Sequence, residues 1–173
     1  FWGSIWVAKL DPAGNWLWAV SGGGPSTDGS ESIATDSAGY SCITGYFEGT
    51  STFGTHSVTS FGNNDILVAK LDPDGNWLWA NCCGGSGLAG AWSVSTDDSG
   101  NSAVTGPFTG TAMFGTTTLQ CSGSYDIFIA RMDNEGNWVW AKRAGGNYVM
   151  GDYTDVGCCI SLDNSGNCYV NGY

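Results

Sequence analysis

The chain reads as an all-β protein of the β-propeller type, built from four-stranded antiparallel blades. Three observations lead there. The stretch Ile66–Ala80, ILVAKLDPDGNWLWA, also occurs as IWVAKLDPAGNWLWA at Ile5–Ala19 and as IFIARMDNEGNWVWA at Ile127–Ala141, with a constant spacing of 61 residues (66 − 5 and 127 − 66). A fixed period of this length marks a repeat architecture. Short apolar runs separated by Gly-containing turns recur within each period. No apolar run has the 3.6-residue period of a helix.

The repeated stretch is itself a hairpin. Ile66–Leu71 is apolar on both faces, as expected of a strand covered on both sides. Asp72-Pro73-Asp74-Gly75 then reverses the chain, with Pro at the first central position of the turn and Gly at the left-handed one. Asn76–Ala80 returns as a second strand. The pairs Trp16/Trp18, Trp77/Trp79 and Trp138/Trp140 stand at i and i+2, so both rings of a pair are expected to point to one face. Such a ledge suits packing of one repeat on the next. Its use as a sugar-stacking platform is the alternative.

The other elements follow in order. After a Gly/Ser loop, Ser21–Ser30, a strand at Ser32–Asp36 turns through Ser37–Tyr40 into a strand at Ser41–Phe47. Thr50–Ser60 is a Thr/Ser/Gly-rich excursion with the makings of a small extra hairpin. The next period repeats this order: Ser93–Asp97, the turn Asp98–Asn101, Ser102–Phe108, the excursion Thr111–Ser122, and a hairpin over Asp126–Ala141. A third begins with Cys159–Asp163, Asn164–Asn167 and Cys168–Tyr173. With strands a to d counted outward, the array divides into a c–d half blade at 1–31, blades at 32–92 and 93–158, and an a–b half blade at 159–173.

These motifs, D-x-x-G-N turns, the strand-turn-strand ATDSAGYSCITGYF (Ala34–Phe47) and D-[IL]-x-V-A-K-L-D…G-N-W-x-W, resemble the bacterial β-propeller repeat of the SBBP type over essentially the whole chain. The resemblance implies a propeller fold in secreted or surface proteins, with scaffold or adhesion roles and no catalytic residues to carry over.

Composition narrows the function classes. Charged residues make up only 12% of the chain, and the net charge is −11 with five basic residues, so nucleic acid and anionic membranes are repelled. Seven cysteines (Cys42, Cys82, Cys83, Cys121, Cys158, Cys159 and Cys168) suggest an oxidising, extracellular setting and disulfides. No Cys-x-x-Cys pair supports zinc. The single histidine, His56, has no partners for nucleophilic or acid–base work, and no G-x-S-x-G is present. No enzyme is expected, and no cofactor. Calcium at the turns Asp36–Tyr40, Asp97–Asn101 and Asp163–Asn167 is the one ligand their oxygens suggest, although turn chemistry already accounts for Asp, Asn and Gly there. Lys9, Lys70 and Arg131 are expected to pair with a carboxylate or to snorkel outward.

Two functional readings follow. Three blades are too few to close a ring, and the half blades at either end are complementary open edges. Ile5, Val7, Trp16 and Trp18 on one side, and Tyr169, Val170 and Tyr173 on the other, would then join copies head to tail into a filament or ring, unless the array continues in a longer propeller. In the other reading a glycan or protein binds loops holding Phe53, His56, Phe114, Tyr125, Tyr148 and Tyr153.

Overall fold

Alternating β-branched and aromatic residues, punctuated by turns whose glycines take positive φ (Gly14 84°, Gly75 87°, Gly136 87°), dictate short strands throughout. The structure, a computed structural model, describes residues 4–147 and 155–173. Its strands are β1 (Ile5–Leu10), β2 (Trp16–Gly22), β3 (Asp28–Thr35), β4 (Ser41–Phe47), β5 (Thr50–Phe53), β6 (His56–Thr59), β7 (Asp65–Leu71), β8 (Trp77–Gly85), β9 (Ser93–Thr96), β10 (Ser102–Phe108), β11 (Thr111–Phe114), β12 (Thr117–Gln120), β13 (Asp126–Met132), β14 (Trp138–Ala144), β15 (Gly157–Leu162) and β16 (Cys168–Gly172). Among the described residues there is no helix.

Two blades are whole. One runs β3-β4-β7-β8 and the other β9-β10-β13-β14, each antiparallel throughout. The hairpins β1-β2 and β15-β16 are separate two-stranded sheets and do not pair with one another. The four units stack in chain order. Ile5, Val7 and Trp18 of the first hairpin pack with Ile43, Leu67 and Leu71 of the first blade. Ile66, Val68 and Trp79 on that blade's other side meet Val94, Val104 and Phe128 of the second. Ala103 and Ile129 of the second meet Ile160 and Leu162 of the last hairpin. Each blade is therefore apolar on both faces because each face covers a neighbour.

The inner strands are tied by serine hydroxyls. Val94 N donates to Ser32 Oγ at 3.3 Å, and Ile160 N to Ser93 Oγ at 3.1 Å. The excursions are indeed hairpins, and they reach backward. The β11-β12 hairpin pairs through Ala112 and Met113 with Gly85 and Gly84 of β8, extending the preceding blade's sheet to six strands. The β5-β6 hairpin makes the equivalent bridge from Thr52 to Gly23.

Two expectations are corrected here. The tryptophans of a pair do not share a face. Leu71 opposes Trp77 and Lys70 opposes Trp79, so Leu78 is an extra residue in β8, a β-bulge. The bulge turns the strand between the two rings: Trp77 packs edge-on against Phe53, centroids 5.0 Å apart, on the side of the first hairpin, while Trp79 lies on the side of the second blade. The same shift recurs between Lys9 and Leu10 and between Arg131 and Met132. Disulfides are absent as well: all seven thiols are free.

Candidate assembly surface

Among the described residues the most exposed aromatic side chains stand at the two ends of the stack. At one end the alternation of β1 sends Ile5 and Val7 inward, and both are buried. Trp18 also faces inward, and its Nε1 donates to Pro73 O at 3.0 Å across the first blade's turn. Lys9 Nζ donates to the same carbonyl at 3.2 Å. The outward face of this hairpin is apolar and bare, with Trp6 67% and Trp16 65% exposed and Leu10 beside them. In the first blade the equivalent residues, Leu67, Leu71 and Trp77, are the ones that cover the first hairpin.

The free edge of β1 borders a cleft of about 310 Å³ lined by Trp6, Val7, Ala8, Ile33 and Ile43. In a whole blade that edge is taken: β4 pairs with β7 from Ser41↔Leu71 to Phe47↔Asp65. At the far end β16 is in the mirror situation. Among the described residues it pairs only with β15, and Tyr169 and Tyr173 are 62% and 74% exposed, with Val170 partly so.

The residues expected at the junction thus divide. Trp16, Tyr169, Val170 and Tyr173 are presented to solvent. The side chains of Ile5, Val7 and Trp18 are committed within the chain, so Ile5 and Val7 offer only their backbone edge. Trp6 was missed by sequence reasoning, although it stands where the later repeats have Leu67 and Phe128 and is the bulkiest of the three.

The expected ligand loops divide too. Phe53 and Phe114 are buried, Phe53 against Trp77 and Phe114 against Phe128 and Trp138, so neither ring is available to a ligand. The turn between β5 and β6 folds inward because its hairpin caps the outer tryptophan of its own blade. His56 is half-buried opposite Phe53 at that turn. Tyr125 lines a cleft of about 210 Å³ with Tyr46, Leu88, Trp92 and Pro107. Tyr148 and Tyr153 lie outside the described residues.

The turns are clasped by their own carboxylates. Asp72 Oδ1 accepts from Asp74 N at 2.9 Å and Asn76 N at 2.8 Å, and Oδ2 from Asn76 Nδ2 at 2.8 Å. Asp11 and Asp163 repeat the arrangement. The Asn side chain and backbone N–H groups hold these three carboxyls below the usual range. Asp97 is clasped by Ser99 and Asn101 and also meets Arg131 at 3.2 Å. Among the described residues, Arg131 is the one repeated cation of the three that pairs with a carboxylate. Lys70 is buried and donates to Gly100 O and Asn134 Oδ1. Of the three turns expected to attract calcium, those of Asp97 and Asp163 have both carboxylate oxygens engaged by N–H donors, and at the third Asp36 Oδ1 accepts from Ala38 N and Tyr40 N. Among the described residues no group of three or more His, Cys, Asp or Glu is placed to hold a metal.

No family model matches the chain. It is 30% identical over 115 residues to an uncharacterized WD repeat-containing protein of Acanthamoeba polyphaga mimivirus, a match covering 61% of this chain and 8% of that protein. The chain thus spans less than a tenth of that relative's length. WD repeats are four-stranded propeller blades of roughly 40–45 residues. The present period is longer because each blade carries the inserted hairpin. The likeness and the blades agree on a propeller-like repeat.

Proposed function

We propose that this chain is a non-catalytic structural module of the SBBP-like propeller-repeat kind that joins a second copy of itself head to tail, its a–b half blade completing the partner's c–d half blade. The observation that carries the reading is that, among the described residues, β1 and β16 each have one edge without a neighbouring strand, and these match the paired edges of β7 and β4. Transposing the β4–β7 register by the repeat places Tyr173 opposite Ile5, Gly172 opposite Trp6, Asn171 opposite Val7 and Val170 opposite Ala8. Edge-strand addition supplies backbone hydrogen bonds, and the alternate side chains supply specificity. A head-to-tail contact closes into a ring or grows into a filament.

Light scattering and negative-stain imaging across a concentration series test it. A photo-crosslinking benzoyl-phenylalanine in place of Tyr173 is expected to attach to the peptide holding Ile5 of another copy. A chain that stays monomeric at every concentration overturns the proposal.

A second reading rests on the cleft of Tyr46, Trp92 and Tyr125. Three aromatic side chains around an open hollow suit stacking against a sugar ring, which makes this an adhesion site. Glycan-array binding lost in Trp92→Ala would support it. An array without hits would remove it.

A further inference from the structure

One backbone amide recurs where the d strands end, and each copy of it is held by a carboxylate. Gly24, Gly85 and Gly146 stand 61 residues apart (85 − 24 and 146 − 85). Gly24 N donates at 2.6 Å to Oδ2 of Asp28, on the a strand that follows. Gly85 N donates at 3.2 Å to Oδ1 of Asp65, on the c strand of its own blade. The third copy has both kinds of carboxylate at hand. Asp126 is the c-strand counterpart of Asp65, and Asp155 stands just before β15, the a strand that follows. Gly146 N goes to Asp155 Oδ2, at 2.9 Å.

Asp126 is left with a surplus oxygen. Its side chain is fully buried. Oδ2 accepts from Ser122 N at 2.8 Å and from Arg143 Nη1. Among the described residues Oδ1 has no hydrogen-bond partner, although the matching oxygen of Asp65 takes the Gly85 amide. Asp126 Oδ1 and Asp155 Oδ2 also crowd one point. A Cβ on Gly145 would lie less than 3.0 Å from each, so the two oxygens are less than 6 Å apart (3.0 + 3.0). Two carboxylates that close, one of them buried, disfavour each other's charge unless a cation stands between them. The Arg143 guanidinium sits on the other oxygen of Asp126 and offsets one of the two charges.

We propose that Asp126 Oδ1 and Asp155 hold one calcium ion, which ties the entry to β15 to the head of β13. Ca–O bonds of about 2.3–2.6 Å bridge two oxygens up to roughly 5 Å apart, within the separation here. All the donors are oxygen, which selects a hard cation. Reaching the buried oxygen requires the ion to shed water on that side, which magnesium does reluctantly. Water completes the shell on the side of Gly145 and Gly146, which are exposed. With two carboxylates and few fixed ligands the site is expected to bind at about 10⁻⁴–10⁻³ M. The site would work in a single copy as well as in an assembly, so it does not depend on the head-to-tail reading.

Equilibrium dialysis with radioactive calcium and thermal melts of the chelator-stripped chain test it. The wild type is expected to take up one ion per chain and to melt roughly 3 °C higher in about 10 mM calcium than in chelator, with a smaller gain from magnesium. Asp155→Asn removes a charge and keeps an oxygen for the Gly146 amide. It is expected to bind calcium at least tenfold more weakly and to lose the gain in melting temperature. Asp126→Asn is expected to do the same, and if it fails to fold Asp155→Asn decides alone. Asp74→Asn, an exposed acid in another turn, is expected to bind like the wild type. A wild type without bound calcium at about 10 mM, or a folded Asp155→Asn chain that binds as the wild type does, overturns the site. Equal stabilisation by magnesium overturns the assignment to calcium.

Discussion

Lys70, 2% exposed, donates its Nζ–H to the carbonyl of Gly100, 2.9 Å away in the next blade's turn, and also to Asn134 Oδ1 in a second turn of the same blade. With no carboxylate paired to it among the described residues, this buried cation has its water replaced by those oxygen dipoles and by the Tyr40 ring, whose centroid lies 5.6 Å from Nζ. It joins two turns of one blade to a strand of another, and so acts across the stacking interface. Lys70→Ala leaves two acceptors unpaired and a cavity, and is expected to cost about 2–4 kcal/mol in urea unfolding. Lys9→Ala, at a half-buried position with one acceptor, is expected to cost under about 1 kcal/mol. Equal effects would mean that the two cations do not differ by their burial.

Phe53 is wholly buried between the first hairpin and the first blade, beneath Trp77. Phe53→Ala is expected to cost about 3–5 kcal/mol, and Phe114→Ala a similar amount, because both empty a packed aromatic site. Denaturant midpoints within error of wild type would return these rings to the list of surface residues free for a ligand.

The outcome at Phe53 shows where sequence reading stops. Strand order, turn positions and stacking of blades were legible because period 2 and the Gly/Asn turns are local signals. The fate of the excursions was not, because their backward pairing to Gly23 and Gly84 is set by the preceding blade. The tryptophan faces failed for a different reason. Counting i and i+2 assumes an unbroken pleat, and Leu78 breaks it at one residue. Since that residue is Leu in two repeats and Val139 in the third, all partly or largely exposed, an apolar residue pointing at solvent between two tryptophans was the available clue. At the junction, the burial of the Ile5 and Val7 side chains was not legible, because β1 is apolar on both faces and alternation gives no sign of which one is covered.

The clasped turns make stability depend on acid. Asp11, Asp72 and Asp163 have carboxyls held below their ordinary value by the Asn side chain and the backbone N–H groups of their turns. A carboxyl whose folded pKa is depressed contributes stability that is fully present above the unfolded value, about pH 4, and is lost as pH falls through the folded one. The melting temperature is therefore expected to drop below about pH 4. Asp72→Ala should melt lower at neutral pH and show a shallower acid limb than wild type. An unchanged slope would mean that these turns do not couple protons to folding.

The thiols give a test of the core between the two whole blades. Cys42 and Cys83 both lie there, on facing sides of Ile66 and Val68, and burial pushes the Cys42 thiol up to about 11 and Cys83 well above its ordinary value. Cys82, the neighbour of Cys83, points the other way, toward the first hairpin, and Cys159 is exposed. Reaction requires the thiolate and access to it. With an aromatic disulfide reagent near pH 8 on the reduced protein, Cys159 is expected to react first and the partly buried thiols more slowly. Cys42 and Cys83 should react only at the rate of unfolding, and all seven should react in denaturant. Peptide mapping identifies the order. Labelling of Cys42 or Cys83 as fast as Cys159 under native conditions would show that the two blades part readily, and would remove the shared core on which the stacking rests.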